Sequence, residues 1–176
     1  MTKKILVAFD GSDHADRTLR RAAELAVAEN AEMIILHAVV PHHLSDEEIA
    51  YAEERCGNEY RERMRHASRV RLPLEDMAEE RPVRQYIEAR DIFYRVLGED
   101  ILKRAETRAK ELGVRTVKTE LEFEHPAKAI LDAARRKDVD MIVMGRKGHN
   151  RIAEFFLGST AQHVIQHAER SVLMVA

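Results

Sequence analysis

Three of the seven glycines in this chain fall within residues 144–162, which read MGRKGHNRIAEFFLGSTAQ. Their spacing is Gly145-x2-Gly148-x9-Gly158, and a serine and a threonine follow the last glycine directly. Glycine accepts backbone conformations and close approaches that a β-carbon would block. Bare backbone amides, hydroxyl groups and basic side chains together are suited to hold a phosphate. This segment therefore predicts a phosphate-binding loop.

The surroundings of the segment agree with that chemistry. An apolar run at 141–144 precedes it, and apolar residues at helical spacing follow it, as a strand–loop–helix phosphate site requires. We expect Gly145 to leave the strand with a positive φ or a close approach, and Gly148 to leave room for a ligand. Ser159 and Gln162 also have the spacing of a helix-capping box, so Ser159 has a purely structural alternative. The glycine pattern matches neither a Walker A loop nor G-x-G-x-x-G.

The elements that must position this loop are visible as five short apolar runs. They lie at residues 5–9, 33–40, 117–123, 141–144 and 172–175. Four are nearly continuous, which is typical of parallel strands covered on both faces. The third alternates apolar and polar residues, which predicts a strand at the edge of the sheet. Helical patterns separate the runs, so we predict an α/β fold with a doubly wound parallel sheet.

Helix boundaries are marked by residues with known positional preferences. Ser12 or Asp13 is predicted to cap the first helix, and Asn30 to end it. Gly113 is predicted to end the second helix, and Pro126 suits the first turn of the third. These signals place the helices between the predicted strands.

Residues 41–98 interrupt the alternation of strands and helices. Prolines divide them into a predicted longer helix over about 46–71 and a shorter one that ends near Gly98. The segment is too short to make a good independent core, so we predict an insertion within a single domain, residues 1–176. Ile92 and Phe93 belong to an apolar group in the shorter helix that needs cover, and we favour a contact with a second subunit over a lid.

Composition excludes several classes of function. The formal net charge of −2 offers no field that attracts nucleic acid or an anionic membrane, and no apolar run is long enough to span a bilayer. The single cysteine excludes an internal disulfide, and the apolar start of the chain is predicted to be a strand, not a signal peptide. We expect a cytoplasmic protein without nucleic-acid or membrane partners. His37, inside the second strand, is expected to be a satisfied core histidine.

The glycine pattern resembles the universal stress protein family, specifically its ATP-binding branch. The resemblance extends over 1–40 and 99–176, including KKILVAFDGSDHA, IILHAVV and VDMIVMGRKG. It implies a Rossmann-like, adenine nucleotide alpha hydrolase-like sheet of five strands in the order 3-2-1-4-5. It also implies a homodimer, often formed through the final strand.

The resemblance further implies the roles of individual residues in a nucleotide site. Asp10 would contact the ribose, although a turn residue before Gly11 is its structural alternative. The remaining residues would border the adenine (Ala8, Phe9, Ala38), line the ribose and phosphates (Met144, Gly145, Lys147, Gly148) or hold the phosphates (Gly158, Ser159, Thr160). Arg146 or Lys147 would supply positive charge.

These observations favour an ATP-binding regulatory module of the stress response, a nucleotide-dependent dimeric signalling protein with at most slow ATP hydrolysis. The cofactor would be ATP, with or without Mg²⁺; no general base or catalytic residue is evident, and no metal-ligand pattern is recognisable. The alternative is a nucleotide-independent dimeric module that recruits protein partners through 41–98. An adenylating enzyme ranks last, because the loop at 10–13 lacks the Ser-Gly-Gly of an ATP pyrophosphatase.

Overall fold

The computed structural model describes residues 3–42, 54, 57, 62, 81–146 and 157–176, with the backbone alone at Asp13 and 81–89. The chain divides into two compact units. One unit combines Met1–Val40 with Ile101–Ala176, and the other is Pro41–Asp100. The first unit contains the sheet. The assignment of 41–98 to an insertion within a single domain stays a prediction.

Five parallel strands form the sheet of the first unit. They are β1 (Lys4–Ala8), β2 (Glu32–Ala38), β3 (Val117–Glu122), β4 (Met141–Gly145) and β5 (Ser171–Val175). Their order across the sheet is β3-β2-β1-β4-β5, and every neighbouring pair is parallel. The predicted fold class, strand order and edge position of the third strand are confirmed.

Four helices complete the described elements. They are α1 (Asp13–Glu29), α2 (Arg81–Glu111), α3 (Pro126–Arg136) and α4 (Ser159–His167). Ser12 caps α1 by accepting the Ala15 amide, and Asn30 ends the helix in the left-handed conformation at φ 49°. Gly113 follows α2 at φ 95°, and Pro126 opens α3. These boundaries confirm the predictions made from the residue types.

Two apolar layers cover the two faces of the sheet. Alternate residues of β1 point to opposite layers, with Val7 in one and Leu6 in the other. Helix α1 and the 101–111 part of α2 contribute to the first layer, whereas α3 and α4 contribute to the second. This division is why the central strands are apolar on both faces, and it places α1, which follows β1, and α4, which follows β4, on opposite faces of the sheet.

Helix α2 differs from its prediction. It continues through Gly98, where a shorter helix was expected to end. A glycine inside a helix costs about 1 kcal/mol, which continued apolar spacing on both sides outweighs. Phe93 is 1% exposed, so its ring is buried within the chain, and the contact of 41–98 with a second subunit stays a prediction. Tyr94, beside it, bonds through its hydroxyl group to His42 Nδ1 at 2.8 Å.

Candidate functional site

The sheet changes its winding direction between β1 and β4. From β1 the chain proceeds outward to β2 and β3, whereas β4 and β5 lie on the other side of β1. Loops that leave neighbouring strands toward opposite faces open a crevice at the carboxyl ends of those strands, where α/β proteins bind ligands. Phe9–Ser12 leaves β1 here, and the glycine segment leaves β4. The structure therefore places the ends of β1 and β4, from which the two predicted loops leave, side by side at the carboxyl edge of the sheet.

Backbone hydrogen bonds close the connection between β4 and α4. Gly145 pairs with Val175 as the last residue of β4, and the Arg146 amide donates to the Val175 carbonyl at 2.9 Å. The Gly158 amide then donates to the Arg146 carbonyl at 3.1 Å. The start of α4 is thereby held beside the end of β4, as a phosphate site at this position requires.

Part of the glycine segment cannot be placed in this geometry. Lys147 and Gly148 fall in 147–156, outside the described residues, so their roles stay predictions. Positive φ angles among the glycines that the structure describes occur at other positions, and Gly145 keeps its strand pairing. Gly145 was predicted to have a positive φ or to allow a close approach to its backbone, and only the close approach stays a prediction.

The first turn of α4 corrects one structural prediction. Gly158 is the N-cap, with φ −62° and ψ 150°, and Ser159 is already the first helical residue. Ser159 therefore forms no capping box, because the cap position one residue earlier has no side chain. No side chain of the described residues caps this helix. The amides of its first turn have no intrahelical acceptor and present a partial positive charge to the crevice.

The apolar residues expected around the adenine (Ala8, Phe9, Ala38) and the one expected at the ribose and phosphates (Met144) divide between the two sides of the sheet. Ala8, Ala38 and Met144 belong to the layer that α3 and α4 cover, with Met144 only 4% exposed. Phe9, at 7% exposed, lies in the opposite layer with α1. The structure thus groups three of these four side chains on one face at the carboxyl ends of their strands. Only the backbone of Phe9 reaches the same strand end.

Asp10 adopts the turn role that was its structural alternative. Its Oδ1 accepts from the Ser12 amide at 3.0 Å and from the Ser12 hydroxyl at 2.7 Å. Ser12 in turn accepts the Ala15 amide as the cap of α1, and Gly11 between them has φ +80°. The carboxylate is therefore oriented by the loop that it stabilises. A turn of this kind does not exclude a ribose contact, which stays a prediction.

One residue near this crevice was expected to act only in the core. The His37 side chain is 8% exposed, and its Nδ1 lies 2.8 Å from the Phe9 carbonyl oxygen. It is a satisfied buried histidine, as predicted, but its partner is the first residue after β1. The sequence signal was a polar ring at the end of an otherwise apolar strand, and its acceptor was not readable from the sequence.

A separate cleft of about 570 Å³ lies away from the glycine segment. Lys4, Glu32 and Val117, which begin the three strands β1, β2 and β3, line it together with the end of α3. It is therefore at the amino end of the sheet, opposite the crevice. Its charged side chains are largely engaged with one another, as in the pairing of Lys118 with Glu32 at 3.0 Å. The nucleotide site is therefore still expected at the carboxyl end of the sheet.

Within the part of the chain that the structure describes, no group of three or more His, Cys, Asp or Glu side chains is arranged to hold a metal ion. None of its helices combines the length and the apolar character needed to cross a membrane.

The amino-acid sequence matches a known protein family. The model of the Universal stress protein family matches residues 1–176. The chain belongs to this family. The match also spans 41–98, which the resemblance drawn from the sequence left out. A universal stress protein of Thermus aquaticus, from the QAH/OAS sulfhydrylase 3' region, is 33% identical over 177 aligned positions that span 99% of each chain.

Solved structures show the same fold. A universal stress protein in complex with cAMP superposes with a TM-score of 0.60 and 23% identity, covering 99% of this chain and 96% of that one. The universal stress protein of Archaeoglobus fulgidus in complex with dAMP has a TM-score of 0.56 and 20% identity, covering 100% and 98%. At these identities the similarity establishes the Rossmann-like universal stress protein fold.

Proposed function

We propose that this universal stress protein binds an adenine nucleotide, ATP in particular, in the crevice between the β1 and β4 loops. The observation that carries the proposal is the hydrogen bond from the Gly158 amide to the Arg146 carbonyl. It holds an uncapped helix start beside the end of β4, at the switch point where α/β sheets bind ligands. The cAMP and dAMP complexes of proteins with the same fold support the adenine class.

Different groups of the proposed site would contact the phosphates and the base of the nucleotide. Phosphate oxygens would accept hydrogen bonds from the first amides of α4 and from the exposed Ser159 hydroxyl, with Arg146 or Lys147 adding positive charge. The apolar strand ends at Ala8 and Ala38 would border the base. Mg²⁺ would enter with the ATP phosphates, since no protein metal site is predicted.

The biological role follows as part of the same proposal. A site made of amides, hydroxyl groups and basic side chains binds phosphates well, but phosphoryl transfer also needs an oriented nucleophile. We therefore propose a cytoplasmic dimeric signalling protein of the stress response, in which bound ATP is hydrolysed slowly at most. The nucleotide state would then control which partner the protein engages.

Gly158 allows a sharp test, because its φ and ψ suit any N-cap residue. Asn or Asp at an N-cap accepts amide hydrogens of the first helical turn and stabilises a helix at least as well as Gly. We expect Gly158→Asp and Gly158→Asn to unfold no more easily than wild type. Gly158→Asp should bind ATP about tenfold more weakly than Gly158→Asn, because only Asp repels the phosphates. Isothermal titration calorimetry measures both affinities.

Adenosine is the control ligand, because it lacks phosphates. Its affinity should be the same in both variants, and it should raise the melting temperature of the wild type less than ATP does. Equal ATP affinities in the two variants would contradict the phosphate assignment. Nucleotide-free purified protein, together with no ATP stabilisation of the wild type, would favour the nucleotide-independent interaction module.

A further inference from the structure

The buried ring of His37 forms a hydrogen bond whose direction is settled by chemistry. A carbonyl oxygen can only accept, so at 2.8 Å from the Phe9 oxygen the Nδ1 atom of His37 carries the proton. His37 and Thr18 are the buried polar residues among those described. Burial of an imidazole is costly unless it is hydrogen-bonded, and a leucine would fill an apolar layer without that requirement. The ring therefore contributes more than volume.

The bond from His37 continues the hydrogen bonding between β2 and the chain past the last paired residue of β1. The pairing of β1 with β2 ends at Ala8 and Leu36. Phe9 follows, with its amide donating to the Leu36 carbonyl at 2.9 Å and its carbonyl accepting from His37. Both polar backbone groups of Phe9 are thus held by consecutive residues of β2.

The residue held in this way directly precedes the loop of the site. Asp10 follows Phe9, and its Oδ1 accepts two hydrogen bonds from Ser12, the cap of α1. Rotation of the Phe9–Asp10 peptide would change where the Asp10 carboxylate points and would disturb the Ser12 cap. The side chain of Ile101 lies 3.3 Å from the position of a β-carbon on Gly11, so the loop has little space for another path.

We infer that His37 is a positioning residue of the nucleotide site: its Nδ1–H holds the Phe9 carbonyl and thereby orients Asp10 toward the nucleotide. It does not itself touch the ligand. This inference rests on the proposed function for the ligand, but the ordering of the Phe9–Ser12 loop is a property of the protein without nucleotide. The two are therefore measured separately.

Three variants separate the hydrogen bond from the volume of the ring. Asn carries an N–H group at about the position of His Nδ1, Gln carries its N–H group one bond further out, and Leu has none. We expect His37→Asn to keep the loop ordered. His37→Gln and His37→Leu should lose the hydrogen bond to Phe9 while still filling most of the space.

Two readouts are measured on the full chain. The first is amide hydrogen exchange at Ser12 without nucleotide; this amide donates to Asp10, so its exchange reports local opening of the loop. The second is the affinity for ATP by calorimetry. His37→Leu and His37→Gln should speed exchange and weaken ATP binding about tenfold each, the value of one hydrogen bond. His37→Asn should stay within about threefold of wild type in both.

The outcomes are distinguishable. Unchanged loop exchange and ATP affinity in His37→Leu, with only a lower global stability, would overturn the inference in favour of a plain core residue. Equal losses in His37→Asn and His37→Leu would also overturn it, because the Nδ1–H bond would not be the cause. Wild-type protein that binds no adenine nucleotide would reject the proposed function. The exchange rates would then decide the ordering role of His37 alone.

Discussion

At the scale of single residues, many of the contacts that shape the candidate site are made by backbone groups. The Arg146 residue contributes its carbonyl, Gly158 its amide, and Phe9 both of its polar backbone groups. Such contacts require the chain to follow a particular path, so the residues that permit that path matter as much as those that bear charge. Gly11 is one of them, with φ +80° between Asp10 and Ser12.

Replacement of Gly11 by Ala tests that requirement. The left-handed conformation strains a residue with a β-carbon, and the added atom would lie 3.3 Å from Ile101 Cδ1. We expect Gly11→Ala to lower the free energy of unfolding by about 1–2 kcal/mol and to weaken ATP binding. Urea denaturation and calorimetry measure the two effects.

Gly113 provides the matched control. It also has positive φ, at 95°, but its β-carbon would meet Val27 at an ordinary 3.6 Å, and it lies away from the crevice. Gly113→Ala should lose a similar amount of stability from backbone strain and keep the ATP affinity of the wild type. An equal loss of ATP affinity in both variants would mean that the effect comes from general destabilisation.

At the scale of elements, α3 is supported by charges along its exposed side. Lys128 lies 2.6 Å from Glu124 and 3.2 Å from Asp132, and Arg135 lies 2.9 Å from Asp132. Hydrogen bonds from Arg135 and Lys128 hold the pKa of Asp132 below its ordinary value of 3.8. The ionised form is thus favoured in the folded protein, as expected for pairs three and four residues apart on a helix.

This shift predicts how stability depends on pH. Because the folded-state pKa of Asp132 is lowered, its contribution is present above 3.8 and is lost as the pH falls through the lower folded value. Asp132→Asn should therefore be slightly less stable than wild type at neutral pH and equal to it in strong acid. The effect is small and weakened by salt, because the groups are exposed. Urea unfolding at a series of pH values measures the difference in free energy of unfolding between Asp132→Asn and wild type. A difference that stays constant with pH would disprove the prediction.

The edge strand β3 is held to α3 by a second set of charges. Arg136 donates hydrogen bonds to Glu120 and, at 2.6 Å, to Glu122. The bond to Glu122 and then the bond to Glu120 raise the pKa of the Arg136 guanidinium. The strand is only partly buried, with Lys118 and Thr119 exposed, and its charged residues Lys118, Glu120 and Glu122 share one face. The charges on that face discourage further strand pairing, which natural edge strands commonly achieve in this way.

At the scale of the whole molecule, the other edge of the sheet is the feature that bears on assembly. The Val175 carbonyl accepts from the Arg146 amide, so Val175, and with it Leu173, directs its backbone groups toward β4. Met174, between them, directs its amide and carbonyl away from β4. The homodimer proposed for this family member would use this free edge.

A proline at Met174 tests dimerisation through β5. Proline removes an amide and is tolerated in edge strands where that amide does not face the sheet. We expect Met174→Pro to give monomers by light scattering while the sheet remains folded. Leu173→Pro is the control, because it removes an amide directed at β4 and should lower the melting temperature markedly. A folded Met174→Pro protein that remains a dimer would exclude pairing through this edge.

The sequence by itself determined the features that depend on neighbours along the chain. Ser12, Asn30 and Pro126 lie at helix boundaries because their side chains or rings act within a few residues of backbone. The alternation of apolar and polar residues in 117–123 indicated an edge strand, because a strand covered on one face has apolar residues on that face only. The glycine spacing was sufficient to indicate the family, which the match over 1–176 confirms.

Tertiary structure alone decided the features that depend on contacts distant along the chain. Helix α2 passes through Gly98 because packing and helix continuation outweigh one unfavourable residue, and Ser159 enters α4 because the cap falls on Gly158. The partner of His37 lies 28 residues away and is a backbone oxygen, which every residue possesses. No residue type identifies such an acceptor, so only the register of β1 against β2 reveals it.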